Sequence, residues 1–226
     1  MRPERAGLLL LGLALAVLGT PARAADHTQV RIQLPIEPRL DTTGIRRILV
    51  GSFLSGDFER FDLRRELVRA IRTSLRRHSD FLVLDDPPPA LPEQRLEDLR
   101  TNAEFFAALG AEYEADLIIS GEVRYDIHDQ SGFVQEEVIS PTTGRRTVRS
   151  VYLERTGYGL IIDLIFLRGS DGSLMYDTRT TQDEIFEGEG ADPMSIFFEL
   201  LERSREEFLR ILTPGERIET RYLYHD

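Results

Sequence analysis

The sequence predicts an α/β fold: a single domain with a mixed β-sheet packed with about three helices, plus an extended β-hairpin. Three observations carry that reading. Apolar strand-like runs alternate with segments of helical period through the first half of the chain, which calls for crossovers and parallel pairing. Hairpin signals dominate the next part, which calls for antiparallel pairing. The 226 residues, 41% of them hydrophobic, supply one sizeable core.

Residues 1–24 read as a cleavable signal peptide. Arg2 and Arg5 precede the apolar run Leu8 to Leu18, and Ala22-Arg23-Ala24 is a small-x-small cleavage site. The run is about half the roughly 20 residues a spanning helix needs, so an uncleaved anchor is the lesser reading. Residues 25–45 read as an N-terminal extension with an edge strand, in which Val30, Ile32, Leu34 and Ile36 alternate with polar residues before prolines.

The domain is placed at 46–226. Ile48-Leu49-Val50 leads through Gly51-Ser52-Phe53 into a loop, and Asp62 caps a helix whose Leu63, Leu67, Ala70, Ile71, Ser74 and Leu75 share one side. A strand Phe81 to Leu84 follows. The segment Asp85 to Glu93 holds Pro87, Pro88, Pro89 and Pro92 and is an exposed connection. A second helix is expected over Leu96 to Leu109, stopped at Gly110, before the central strand Ala115 to Val123, with Ile118 and Ile119 covered on both faces. Polar residues 126–150 turn at Pro141 to Gly144 and belong to an extended hairpin over residues 131–159. Leu160 to Leu167, the turn Ser170-Asp171-Gly172 and Leu174 to Thr178 form a hairpin in which counting from the turn sets Asp163 across from Thr178. Asp192 and Pro193 open a last helix, Ile196 to Leu212, stopped by Pro214-Gly215, and Ile218 to Leu223 is a final strand.

Composition removes several function classes. The net charge is −11, and the leader holds three arginines and one glutamate, so its loss brings the charge to −13. Phosphate backbones are repelled, and nucleic acid is not an expected partner. The absence of cysteine excludes disulfides, thiol chemistry, cysteine-zinc sites and lipidation at a cysteine. All 28 basic residues are arginine, and no site is drawn from that. Gly188-Glu189-Gly190 lies among acids and lacks a P-loop lysine, so it is no phosphate cradle. The segment Gly51 to Gly56 lacks the serine spacing of a nucleophile elbow.

Asp126, His128 and Asp129 are metal-ligand types, but a solvated loop is the preferred account, and no metal or cofactor is expected. Asp163 interrupts an apolar strand on the face of Ile161, Ile165 and Leu167. A hydrogen-bonded structural carboxylate, or a sheet face covered by another subunit, accounts for it better than catalysis. The expected partner-binding residues are Arg65, Arg69, Arg72 and Arg76, spaced by four, three and four as one basic stripe on the first helix. The last helix carries Glu199, Glu202, Glu206 and Glu207. Intramolecular contact or solvation is one account of these charges, and an intersubunit contact is the other.

Taken in order, Ile48 to Phe53, the following helix, Phe81 to Asp85 and Ala115-Asp116-Leu117-Ile118-Ile119-Ser120-Gly121-Glu122-Val123 resemble the CsgG-like curli-secretion channel family. They equally resemble the related LpoB-like penicillin-binding-protein activators, PelC-like lipoproteins and TolB N-terminal domains. Leu160 to Arg168, Asp171 to Asp177 and Ile196 to Leu212 continue the pattern over residues 46–212. The resemblance implies a non-enzymatic periplasmic accessory or assembly protein for an envelope or secretion apparatus, partnered by an envelope or outer-membrane protein or by copies of itself. A subunit of an outer-membrane secretion pore is the alternative within that class. A periplasmic hydrolase in which Asp163, Asp116 and Asp126 to Asp129 converge is the alternative outside it. The chain departs from many of these proteins in lacking the acceptor cysteine. Charges at Glu136, Glu137, Arg145, Arg146, Arg149, Glu154 and Arg155 also deny residues 131–159 a clean lipid-facing alternation.

Overall fold

The computed structural model describes residues 27–56, 58–142, 144–188 and 191–224. The predicted leader and the Glu189-Gly190 part of the glycine-rich segment lie outside them. Nine strands and four helices are described, in the order β1 (His27–Ile36), β2 (Arg47–Ser55), α1 (Leu63–His78), β3 (Leu82–Val83), α2 (Leu96–Thr101), α3 (Ala103–Tyr113), β4 (Leu117–Asp129), β5 (Gly132–Ile139), β6 (Arg146–Leu153), β7 (Arg155–Arg168), β8 (Leu174–Glu187), α4 (Pro193–Leu212) and β9 (Gly215–Tyr224). Residues 35–216 form one compact unit, and the described residues on either side of it, 27–34 and 217–224, belong to a second. In the latter, β1 pairs with β9 as a two-stranded sheet.

The main unit is built on a five-stranded sheet of order β3-β2-β4-β7-β8. β3, β2 and β4 are parallel, while β4, β7 and β8 are antiparallel, which is the mixed sheet predicted. Alternation sorts its side chains into two apolar layers. Ile48, Val50, Leu117, Ile119, Ile162 and Leu164 pack under α1 and α4. Leu49, Ile118, Ile165 and Leu167 pack under α2 and α3. Ile118 and Ile119 are both fully buried, so the central-strand expectation holds.

Local chemistry sets the boundaries. The Asp62 side chain accepts from Arg65 N at 3.0 Å to open α1, and the Asp192 side chain accepts from Ser195 N at 2.9 Å to open α4 with Pro193 in its first turn. Asp116 pins β4 to β2, its Oδ2 accepting from both Arg46 N and Arg47 N at 2.8 Å.

Two expectations need correction. The helix predicted over Leu96 to Leu109 is two helices, because Asn102 leaves helical geometry (φ −82°, ψ 61°) and its side chain caps α3 by accepting from Phe105 N at 3.3 Å. Nor does Gly110 stop the second helix, which runs to Tyr113 and ends on Glu114 in the left-handed region (φ 49°). Gly110 is required for another reason: a Cβ there would stand 1.9 Å from the carbonyl oxygen of Gly169.

The extended hairpin is a continuation of the sheet. Asp129 faces Thr156 and Gly132 faces Leu153, so the register of β4 on β7 passes without slip into β5 on β6. Gln130 N donates to Arg155 O at 2.8 Å across the junction. Beyond that point β5 and β6 pair only with each other. The arm of eight paired residues therefore reaches about 26 Å past the five-stranded sheet.

Candidate interaction site

β2 feeds α1 on one face of the sheet, and its parallel neighbour β3 feeds α2 on the other. Loops that part in opposite directions open a crevice beyond the carboxyl ends of the two strands, the usual ligand position in open α/β sheets. A cleft of about 1240 Å³ lies there. Its walls are the end of β2 from Ser52 with Gly56 after it, the α1 surface from Arg65 to Arg76, the proline-rich connection from Asp85 to Arg95 and the first turn of α2.

All four arginines of the predicted stripe line this cleft, but in two roles. Arg72 donates to the backbone oxygens of Val50 at 3.0 Å and Asp86 at 2.7 Å, and Arg76 donates to Val83 O at 3.2 Å and to the Asp85 carboxylate. These two strap the proline-rich connection onto α1. Arg65 and Arg69 are 73% and 79% exposed, and each pairs with the buried Glu66, at 3.3 and 3.8 Å. They are the outward-facing part of the stripe. The glutamates of α4 pair elsewhere: Glu199 with Arg203, Glu206 with Arg210, Glu202 with Arg205 and Glu207 with Arg39.

Two further features mark the cleft. Burial, followed by the neighbouring Arg76, pushes the Arg72 guanidinium below its usual pKa. Arg72 Nε and Gln94 Nε2 are buried donors without an acceptor, and both belong to residues of the cleft. Sequence reading missed Gln94, since nothing in its neighbourhood separates it from an ordinary loop amide.

The candidate carboxylates do not converge. Asp163 is 1% exposed and holds Arg179 through two bonds of 2.8 and 3.1 Å, with Arg124 at 3.5 Å and Arg100 at 4.0 Å. It is thus the hydrogen-bonded structural carboxylate that was expected. Its neighbour across the hairpin is Arg179 and not Thr178, which faces Leu164. The register shifts by one because Met175 is an extra residue, Phe166 facing Tyr176 while Leu167 faces Leu174. Gly121 makes room for this row: its φ is +149°, and a Cβ would stand 1.8 Å from Asp163 O.

Asp116 is occupied at the start of β4, about 33 Å of strand away from Asp126. His128 lies beside Gln130, and the Asp129 carboxyl is lowered by its hydrogen bonds from Ser131. Alternation places Asp126 and His128 on one face of β4 and Asp129 on the other. Among the described residues no three His, Asp or Glu side chains gather in a way that could hold a metal ion. No helix among them is long and apolar enough to cross a membrane.

No protein-family model matches the chain, and no curated protein matches it. Among solved structures, a single-substitution variant of the PelC dodecamer from Paraburkholderia phytofirmans is similar at 11% identity and TM-score 0.38, over 82% of this chain and 98% of that one. The lipoprotein GNA1162 from Neisseria meningitidis is similar at 11% identity and TM-score 0.38, over 73% and 98%. The C-terminal domain of LpoB from Salmonella enterica is similar at 11% identity and TM-score 0.30, over 62% and 85%. Scores of this size at this identity do not establish a common fold.

Proposed function

We propose that the protein is an exported, non-enzymatic accessory or assembly factor of a bacterial envelope or secretion apparatus, acting through protein contacts. The arm carries this reading. Phe133, Ile139, Val148 and Tyr152 lie on one of its faces, and all are exposed, Phe133 at 77%. Phe133 and Tyr152 stack edge to face at 5.2 Å between ring centres, an apolar cluster that stays largely exposed. A two-stranded ribbon is marginal in water by itself, and an uncovered apolar patch marks a contact with protein or membrane. The resemblance of residues 46–212 to envelope accessory proteins and the signal-peptide pattern of residues 1–24 support the same class and a periplasmic location.

The pore-subunit alternative fits the arm less well. Glu137 and Arg146 sit on the Phe133 face, and Glu136 and Arg149 sit on the other, paired at 3.6 and 3.0 Å. Neither face is free of charge, as a lipid-facing surface at mid-membrane needs to be. Arg65 and Arg69 form the second contact surface of the proposal.

The test is affinity capture from envelope extract, comparing the mature protein with a variant in which residues 132–153 are replaced by a short glycine-serine turn. The folded domain should survive the replacement, since β5 and β6 pair only with each other, and one or more specific partners, or a second copy of the chain, should be lost. Identical capture by both proteins would refute the role of the arm.

A further inference from the structure

The cleft between α1 and the proline-rich connection is built as a binding groove, and its chemistry specifies what it takes. We infer that it receives an extended protein segment bearing carboxylates, laid across the carboxyl ends of β2 and β3 with its acidic side chains toward α1. This rests on the reading that the protein works through contacts.

Four observations point to that ligand. The groove sits where the loops of β2 and β3 part, a position set by topology and independent of side chains. The side chains that stand open on its α1 wall, Arg65 and Arg69, carry donors only, so what they can take is an acceptor such as a carboxylate or a peptide carbonyl. Its volume exceeds the ordinary range of small-molecule pockets, roughly 300 to 1,000 Å³, and suits a length of chain. Val68, Leu54, Leu91, Pro88 and Pro92 also line it, giving apolar contact for alternate side chains of an extended segment.

Charge gives the groove a direction. The α1 wall carries Arg64, Arg65, Arg69, Arg72 and Arg76, whereas the opposite side holds Glu93 on the connection, Glu97 on α2 and Glu122 on β4, with Arg95 there paired to Asp98. Asp62 is occupied by capping α1, and Asp85 is held by Arg76, so neither opposes an incoming acid freely. Within a chain of net charge −11, this wall is a local exception that selects for negative side chains and orients them. The straps from Arg72 and Arg76 fix the opposite wall in place, so the groove is formed before anything binds.

The experiment is fluorescence anisotropy of a labelled octapeptide of alternating glutamate and alanine, titrated with the mature protein. Saturable binding is expected, lost when glutamine replaces each glutamate and weakened as salt is added. The double variant Arg65→Ala with Arg69→Ala should raise Kd about tenfold with the circular-dichroism spectrum of the folded protein retained, while the urea midpoint falls because the buried Glu66 loses both of its arginine partners. Absence of saturable binding, equal binding of the glutamine peptide, or an unchanged Kd in the double variant would overturn the inference. Displacement by inorganic phosphate at concentrations comparable with the peptide would also overturn it, showing a simple anion site. The arm-replaced variant should bind the octapeptide normally, so failure here with arm-dependent capture intact removes the groove and leaves the proposed function standing.

Discussion

Substituting Asp163 by Asn should unbalance the middle of the sheet. The carboxylate is 1% exposed and receives two bonds from Arg179, with Arg124 at 3.5 Å and Arg100 at 4.0 Å. The asparagine is isosteric, so packing is unchanged and the loss is electrostatic. Removing one partner of a fully buried pair costs about 3 to 5 kcal/mol. Here the side chains of Arg179 and Arg124 are 59% and 42% exposed and can turn toward water, which reduces the cost to about 2 to 3 kcal/mol. With a urea dependence of roughly 2 kcal/mol per molar for a domain of this size, the unfolding midpoint should fall by about 1 to 1.5 M. Adding Arg179→Gln should recover part of the loss, because it removes a cation that no longer has its anion. A midpoint shift under about 0.3 M would refute the reasoning that this carboxylate holds β4, β7 and β8 together.

Three further outcomes are expected. Ile118→Ala should cost about 2 to 5 kcal/mol in urea unfolding, since the residue is fully buried under α2 and α3, whereas Glu206→Ala, whose exposed pair with Arg210 is one helical turn long, should cost under about 0.5 kcal/mol. Arg72→Ala should destabilise by about 1 to 3 kcal/mol and make the connection at 85–95 the first site of limited proteolysis, because its bonds to Val50 O and Asp86 O hold that segment. Hydrogen bonds from Ser195 hold the Asp192 carboxyl below its ordinary 3.8, so its contribution to stability is present above that pH and is lost as pH falls through the lowered folded value; Asp192→Asn should make the acid limb of the stability curve shallower there, read by thermal unfolding against pH.

Much of the architecture was legible because it rests on local signals. Asp62 and Asp192 announced the helices they cap, and the apolar run at 117–119 announced a doubly covered strand. The departures arise from contacts far apart in sequence. Gly110 resembles a helix stop, yet it is demanded by the closeness of Gly169. Met175 adds one residue to β8 and moves Arg179 opposite Asp163, which turn counting cannot reveal. The arginine stripe was visible as a helical period, but its division into straps and free charges depends on where the backbone carbonyls of the proline-rich connection fall. Gln94 became visible only once the cleft had walls.

The central claim is that the arm and the α1 edge of the cleft touch other proteins in the cell envelope. Photo-crosslinking in living cells of the source organism tests it most directly, with a benzophenone amino acid placed at Phe133, at Arg69 and, as an exposed control away from both surfaces, at Glu112. Discrete adducts at positions 133 and 69, with none at 112, are the result the account predicts. The same pattern at all three positions, or no adduct at Phe133, would contradict it.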